Sequence, residues 1–142
     1  MEFRTPTPIG ARIDADVEQL QLCGGYDHNW VIDRQTPRGI EQDATVWEPA
    51  SGRTIEVLSD QPGLQVYSGN FFDGTSIGKY GKPQRYRESL ALETQKFPDS
   101  PHHDNFPSTV LHPRDTSTHV CLYKFRVTSH TASSLNAEIT RW

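Results

Sequence analysis

The segment WEPASGRTIEVLS, residues 47–59, decides the fold class because it has the pattern of a β-hairpin. The Pro, Ser and Gly of PASG (49–52) are turn residues, and they separate two stretches rich in β-branched side chains. The segment therefore predicts that residues 43–49 and 53–59 are antiparallel neighbours in one sheet.

The same β pattern extends along the whole chain, where ten Gly and ten Pro separate short runs of Val, Ile, Thr, Tyr, Phe and Trp. The predicted strands are 26–33, 43–49, 53–59, 63–69, 88–95 and 119–127. Only DADVEQLQL (14–22) has helical character. Residues 71–86 and 96–116 are rich in Gly, Pro and Asp and predict long surface loops, and 128–142 predict a weakly ordered tail. We expect an all-β, antiparallel fold.

Size and composition exclude several classes of function. The 142 residues fit one domain, and 14 Lys and Arg against 18 Asp and Glu give a net charge of -4 without a basic run, so we expect no nucleic-acid partner. No apolar segment approaches the roughly 20 residues that cross a bilayer, and no secretory signal opens the chain, which favours a cytoplasmic protein without a membrane partner.

Cys23 and Cys121 are interpreted as reduced thiols, with a disulfide between them as the open alternative.

Three predicted strands each present a polar face. Successive side chains on a strand point to opposite sides, so position parity groups Asp27 with Asn29, Gln65 with Tyr67, and Ala91 with Glu93 and Gln95. In most β proteins such faces are simply solvated. Here, however, the polar faces carry carboxylates and amides next to the aromatic residues Tyr26, Trp30 and Tyr67, and these faces contain no Lys or Arg until Lys96. This combination suits a polyhydroxylated ligand.

Four longer segments carry a family resemblance: FRTPTPIGARIDAD (3–16), GGYDHNWVID (24–33), EPASGRTIEVLSDQPGLQVYSGNFFDG (48–74) and LALETQKFPDSPHHDNFPSTVLHP (90–113). In this order, and over about residues 3–127, they resemble the aldose 1-epimerases, also called galactose mutarotases. The resemblance implies a galactose mutarotase-like antiparallel β-sandwich. It also implies an isomerase of carbohydrate metabolism that interconverts the α and β anomers of a free hexose such as galactose or glucose.

The resemblance assigns roles to three side chains. Glu93 in ETQ corresponds to the general base, while Asp27 in YDHN and Gln65 in QVY correspond to residues that bind sugar hydroxyls. The base takes the proton of the anomeric hydroxyl while an acid protonates the ring oxygen. We expect Glu93 to lie in a partly dry site, where desolvation raises its affinity for a proton. This chemistry requires no metal and no organic cofactor.

The resemblance covers only the C-terminal part of the family pattern. The upstream Asn-Gly sugar-binding motif, the substrate-binding histidine and the general-acid histidine of an H-x-Y-F-N-L type motif do not occur here. We therefore expect residues 1–142 to be an incomplete C-terminal portion of the domain, a fragment produced by a truncated gene, a mis-started gene model or a split protein. Losing the acid would largely abolish turnover, so a non-catalytic carbohydrate-binding module is the alternative function.

Incomplete sheets would also leave unpaired edges and an exposed apolar face. Such surfaces favour self-association or pairing with a complementary N-terminal segment.

The histidines outside the proposed site are interpreted as structural or solvated. His28 has the opposite parity to Asp27, which predicts a packed or hydrogen-bonded side chain. His102 and His103, next to Asp104 in SPHHDNFP, suggest a metal site, but adjacent histidines in a proline-containing loop are more often solvated, so we predict no metal. The remaining histidines, His112, His119 and His130, have no evident polar partner.

Arg85 and Arg87 in PQRYRES raise a third function, action on phosphorylated hexoses, because a phosphate needs a cationic pocket. The YDHNW and QVYSGN segments resemble the free-sugar branch instead. We therefore interpret the two arginines as a solvated entrance to a strand.

Overall fold

The computed structural model describes residues 1–37, 39–127 and the backbone of 138–140. In chain order its elements are β1 (Thr7–Pro8), α1 (Glu18–Cys23), β2 (Asp27–Val31), β3 (Glu41–Glu48), β4 (Arg53–Ser59), β5 (Gly63–Tyr67), β6 (Ala91–Gln95), β7 (Cys121–Val127) and β8 (Glu138–Thr140). Short 3₁₀ turns occur at Ile9–Ala11, Lys79–Gly81 and Ser100–His102.

The strands form two antiparallel sheets, which confirms the predicted fold class. The larger sheet has the order β1-β8-β3-β4-β7, and the smaller sheet has the order β2-β5-β6. One hydrophobic cluster contains side chains of both sheets, among them Trp30, Leu64 and Val66 from the smaller sheet and Ala44 and Val57 from the larger. The two sheets are therefore layers of a sandwich that share a core.

The hairpin predicted from residues 47–59 is present. Strands β3 and β4 pair antiparallel, with Glu48 opposite Arg53. The Glu48 carboxylate accepts hydrogen bonds from the backbone N–H groups of Ala50 (2.7 Å) and Ser51 (2.8 Å). Gly52 completes the turn at φ 70°, a left-handed conformation that costs glycine little.

Arg34, on the connection from β2 to β3, ties this connection to β3 and to the end of β4 in the larger sheet through part-buried hydrogen bonds. Its guanidinium donates to Asp43 Oδ1 (3.3 Å) and to the backbone carbonyls of Gln61 (2.8 Å), Ser59 (3.0 Å) and Gly39. The side chain of Asp43 is fully buried and that of Arg34 is 8% exposed. Burial raises the pKa of the Asp43 carboxyl, while the Ser59 hydroxyl and Arg34 act in the opposite direction. The buried charge is thus compensated rather than isolated.

Several predicted boundaries were wrong by a few residues. The helix runs over Glu18–Cys23 rather than 14–22, because Val17 N–H bonds to the Ala15 carbonyl in a separate turn before it. The helix ends at Gly24, which adopts a left-handed conformation. Strand β6 begins at Ala91 rather than at residue 88, after a turn in which Arg87 has φ 58°.

The predicted loops at 71–86 and 96–116 contain none of the described strands. The predicted tail at 128–142 differs in part, because 138–140 form strand β8 between β1 and β3. Residues 128–137, 141 and 142 lie outside the described part of the chain.

Strand β7 is the end of the larger sheet, and among the described residues it pairs only with β4. Its apolar side chains are nevertheless exposed, with Phe125 at 77% and Val127 at 75% of their full surface. The exposed apolar surface expected from the sequence therefore lies along this strand. Cys121 at its start and Cys23 in α1 are free thiols, as predicted.

Within the described residues, no helix has the length and apolar character needed to span a membrane.

Candidate active site

The smaller sheet brings the three predicted site residues to one face. Gln65 of the central strand β5 lies directly opposite Glu93 of β6 and, on its other side, opposite Asn29 of β2. Asp27 lies one pair further along the same face, opposite Tyr67. Because residues two positions apart share a face, the parity prediction for Asp27, Gln65 and Glu93 is correct.

These side chains line an open cavity of about 380 Å³. Its lining consists of Asp27, Gln65, Tyr67, Phe71, Glu93, Gln95 and Pro98. The opposite face of the same sheet carries Leu64 and Val66, which are fully buried. The sheet thus separates a dry core from a polar cleft.

Hydrogen bonds connect most of the polar side chains in the cleft. Gln65 Nε2 donates to Asp27 Oδ1 at 2.7 Å. Gln95 Nε2 donates to Asn29 Oδ1 at 3.1 Å and, more weakly, to Gln65 Oε1 at 3.4 Å. Asp27 and the three amides are half-buried, so these bonds form at the boundary between protein and solvent.

Glu93 is exposed, which corrects the expectation of a partly dry site. The apolar residues next to it in LALETQ (90–95) suggested an apolar environment. In a strand, however, its immediate neighbours point to the other face, where Thr94 is buried and Leu92 is half-buried. Nothing among the described residues covers the Glu93 carboxylate, and this open side faces the cavity.

The residues on both sides of Glu93 are hydrogen-bonded to β7 and to the segment just before it. The Tyr123 hydroxyl donates to the Leu92 carbonyl at 2.7 Å, and Thr94 Oγ1 shares a 2.8 Å hydrogen bond with His119 Nε2. Burial raises the pKa of Tyr123 to about 12, assisted by Cys121 and by the charge of Glu93. The prediction that His119 has no polar partner was therefore wrong.

The aromatic residues near the polar face divide into two groups. Tyr26 and Trp30 have the opposite parity to Asp27 and belong to the core, where their rings pack with Phe3 at centroid distances of 5.5 and 5.6 Å, so they do not border the cleft. Tyr67 does line the cleft, and its ring is stacked with that of Phe71 at 6.0 Å. Phe71 is 68% exposed and offers an apolar surface at the rim.

His28 is a structural residue, as its parity predicted. Its Nδ1 accepts the backbone N–H of Asp27 at 3.0 Å, and its ring lies edge-on to Trp30 at 5.7 Å. Burial lowers the pKa of His28, partly offset by the Gln19 backbone and the Asp27 charge. His28 stabilises the strand that carries Asp27 without facing the cleft.

His102 and His103 are exposed, and both pair with Asp99 rather than with Asp104. His103 also packs against the ring of Phe106 at 4.7 Å. In the part of the chain that the structure describes, no three His, Cys, Asp or Glu side chains form a group suited to a metal ion.

Arg87 is not a solvated residue, contrary to the sequence interpretation. Its guanidinium donates to both carboxylate oxygens of Asp14, at 2.7 and 3.1 Å, and to the Gly24 carbonyl at 2.8 Å. Arg85 is exposed and lies 3.7 Å from Glu88. Neither arginine lines the cleft.

The sequence interpretation missed Gln95 and Phe71 as cleft residues. Parity had placed Gln95 on the face of Glu93, so its position could have been inferred. Phe71 lies in a predicted loop, and no local pattern fixes where a loop side chain points.

The cleft offers two carboxylates and two amides, and its described lining contains no cationic side chain. Carboxylates accept hydrogen bonds and amides both donate and accept them, whereas a sugar hydroxyl can do either. An exposed aromatic ring beside these groups can pack against the C–H face of a sugar. The arrangement therefore suits a neutral polyhydroxylated molecule, and it includes one exposed carboxylate, Glu93.

Comparison with known proteins gives the family. The aldose 1-epimerase family model matches residues 1–124. Galactose mutarotase from Mus musculus is 41% identical over 126 residues, which cover 89% of this chain and 35% of the mouse protein. Galactose mutarotase from Homo sapiens is 39% identical over 129 residues, which cover 89% of this chain and 35% of the human protein.

A bacterial relative gives the same result, since aldose 1-epimerase from Escherichia coli (strain K12) is 32% identical over 126 residues, covering 87% of this chain and 36% of that protein. The chain spans about a third of the length of these curated relatives. A family match over residues 1–124, and a sheet that gathers the corresponding motifs around one cleft, lead to one conclusion: the chain belongs to the aldose 1-epimerase family.

Proposed function

We propose that the chain carries the base and part of the sugar-binding site of a mutarotase that interconverts the α and β anomers of a free hexose such as galactose or glucose. Glu93 acts as the general base, and Asp27 and Gln65 bind sugar hydroxyls. The observation that supports this proposal most directly is that the three side chains line one cavity on the same face of three neighbouring strands.

The chemistry needs one proton removed and one supplied. Glu93 takes the proton of the anomeric hydroxyl, the carbonyl bond forms at C1, and the bond from C1 to the ring oxygen breaks as an acid protonates that oxygen. Rotation about the C1–C2 bond presents the other face of the aldehyde. Reclosure with the proton transfers reversed gives the other anomer and restores both catalytic groups.

The acid is proposed to come from another polypeptide segment, because no histidine is present in the described lining of the cleft. An acid or a base contributes about 10²- to 10⁴-fold to such a reaction. The chain alone should therefore bind sugar but turn it over slowly.

A neutral sugar fits this cleft better than a phosphorylated one. Two carboxylates repel a phosphate, and the described lining has no Lys or Arg to pair with it. Arg87, the more buried of the two candidate arginines, is already bonded to Asp14.

Polarimetry of freshly dissolved α-D-glucose tests the base role, with Glu93→Gln as the matched control. Both proteins are assayed in phosphate buffer and again with added imidazole, whose protonated form can act as the missing acid. We expect the wild type to exceed the variant when imidazole is present. Equal rates for the two proteins in both buffers would exclude Glu93 as a base.

A non-catalytic carbohydrate-binding module is the second candidate, favoured by the exposure of Glu93. A binding module predicts sugar binding, measured by NMR titration, but no acceleration of mutarotation that depends on Glu93. If the chain neither binds sugar nor accelerates mutarotation, both functions are excluded.

The exposed apolar strand β7 supports a protein partner, either a second copy of this chain or a complementary segment that supplies the acid. Sedimentation of the isolated chain tests self-association, and a well-dispersed monomer would contradict it. A cytoplasmic location stays a prediction from the sequence.

A further inference from the structure

The orientation of Gln65 depends on hydrogen bonds at both ends of its side-chain amide. Its Nε2 donates to Asp27 Oδ1 (2.7 Å), and its Oε1 accepts from Gln95 Nε2 (3.4 Å). Reversing this amide would place oxygen against the Asp27 carboxylate and nitrogen against the Gln95 donor. Both contacts therefore favour one orientation, with the nitrogen of Gln65 towards Asp27.

The orientation of the Gln95 amide is in turn fixed by Asn29. Asn29 Oδ1 accepts a hydrogen bond from the same Gln95 Nε2 at 3.1 Å. If Gln95 were reversed, its oxygen would face the oxygens of both Asn29 and Gln65. The acceptor on Asn29 thus selects the orientation of Gln95, which in turn selects that of Gln65.

Gly63 makes this arrangement sterically possible. It lies on the central strand β5, opposite Gln95 on one side and Val31 on the other. A Cβ atom at Gly63 would lie 2.9 Å from Asn29 Nδ2 and 3.0 Å from Asn29 Cγ, closer than side chains pack. The Asn29 amide therefore occupies the space above Gly63 and reaches Gln95 across the central strand.

The backbone of Gly63 does not itself require glycine, because it is absent from the residues with positive φ. A substitution to Ala at this site therefore tests the space above the strand rather than the conformation of the chain.

We propose that Asn29 and Gln95 are positioning residues, and that the missing side chain at Gly63 lets them align Gln65 and Asp27 for a neutral hexose. The inference rests on the proposed sugar-binding role of Gln65 and Asp27. Once aligned, Gln65 keeps one N–H and Asp27 keeps Oδ2 for ligand hydroxyls, since no hydrogen bond to Asp27 Oδ2 occurs within the described residues.

The first test needs no sugar. The side-chain NH₂ signals of Gln65 are recorded in ¹⁵N-labelled protein and are identified by their loss in Gln65→Met. We expect Gln95→Met, Asn29→Leu and Gly63→Ala to shift them, and Asn29→Asp, which keeps the acceptor, to shift them less than Asn29→Leu. Gln42→Met, which removes an exposed amide of β3, is the control. Unchanged Gln65 signals in Gln95→Met would overturn the proposal.

The second test measures the dissociation constant of D-galactose by NMR titration. One lost hydrogen bond should weaken binding about three- to tenfold in Gln95→Met, Asn29→Leu and Gly63→Ala. In a double-mutant cycle, Gln95→Met should add little once Gln65 is Met, because it acts through Gln65. Fully additive losses would show an independent contact and would overturn the positioning role.

The two tests separate the two hypotheses. Shifted Gln65 signals in a wild-type chain that binds no galactose would reject the proposed function and leave the amide network as structure alone. Galactose binding that is lost in Gln65→Met but unchanged in Gln95→Met and Gly63→Ala would support the function and reject this inference.

Discussion

In the smaller sheet, Leu64 and Val66 are fully buried while Gln65 between them lines the cleft. Strand β7 of the larger sheet also contains aliphatic and aromatic side chains, yet Leu122 is 44% exposed and Phe125 is 77% exposed. Both strands are paired with a neighbour. The difference between them is that the apolar side chains of the central strand β5 are covered by the other layer, whereas those of β7, at the end of the larger sheet, are not.

This comparison shows that alternation along a strand determines which side chains share a face but not whether that face is buried. Burial depends on the layer that packs against it. The polar face of the smaller sheet becomes a site because its core face is already fixed by packing, so the amides and carboxylates are held on a rigid support.

The largest expected effect is at Arg34, which ties the connection between β2 and β3 to the larger sheet. Arg34→Met leaves Asp43 buried without its cation and removes the hydrogen bonds of the guanidinium to backbone carbonyls, so we expect a loss of about 3–5 kcal/mol in the free energy of unfolding. Urea denaturation measures it. Arg53→Met, at an exposed position of β4, should change stability by less than about 0.5 kcal/mol. Equal effects would show that the buried ion pair does not stabilise the fold.

Truncating one leucine in each sheet compares how much buried packing the two sheets contribute to stability. Leu64→Ala creates a cavity at a fully buried position and should cost about 3 kcal/mol, whereas Leu122→Ala on β7 should cost less than about 1 kcal/mol. The same urea experiment measures both variants. A similar loss at the two positions would mean that β7 is covered in solution.

Tyr123 is the contact through which β7 supports the site. Tyr123→Phe removes the hydrogen bond to the Leu92 carbonyl and should destabilise the chain by about 1 kcal/mol. Tyr80→Phe is the control, because Tyr80 is 85% exposed. An unchanged midpoint of unfolding in Tyr123→Phe would indicate that β6 does not depend on this bond.

The smallest expected effect is a pH dependence from His28. Burial lowers its pKa in the folded chain, whereas the unfolded chain keeps the ordinary value of 6.5, so the unfolded state binds more protons below that pH. Stability should therefore fall as the pH drops below about 6.5. The measured quantity is the melting temperature of the wild type minus that of His28→Gln. This difference should be smaller at pH 5.5 than at pH 7.5. His112→Gln should show no such change.

The parts of the structure that were predictable depend on local pattern. The hairpin followed from turn residues between β-branched stretches, and parity placed Asp27, Gln65 and Glu93 each on the polar face of its own strand. Those rules need only neighbouring residues and a regular backbone.

The parts that were missed depend on contacts between distant segments. Arg87 binds Asp14, and His119 bonds to Thr94, pairings that no local pattern specifies. The exposure of Glu93 was missed for another reason, because hydrophobicity along the sequence averages over two faces that a strand keeps apart.

The charge of the cleft has a practical consequence. With two carboxylates and no cationic side chain in its described lining, the cleft should attract small cations in addition to the proposed sugar ligand. A protonated amino alcohol, such as the common buffer Tris, combines both properties and should compete with sugar, most strongly at low ionic strength, where charges are least screened. Sugar affinities measured in amine buffers should therefore be weaker than those measured in phosphate.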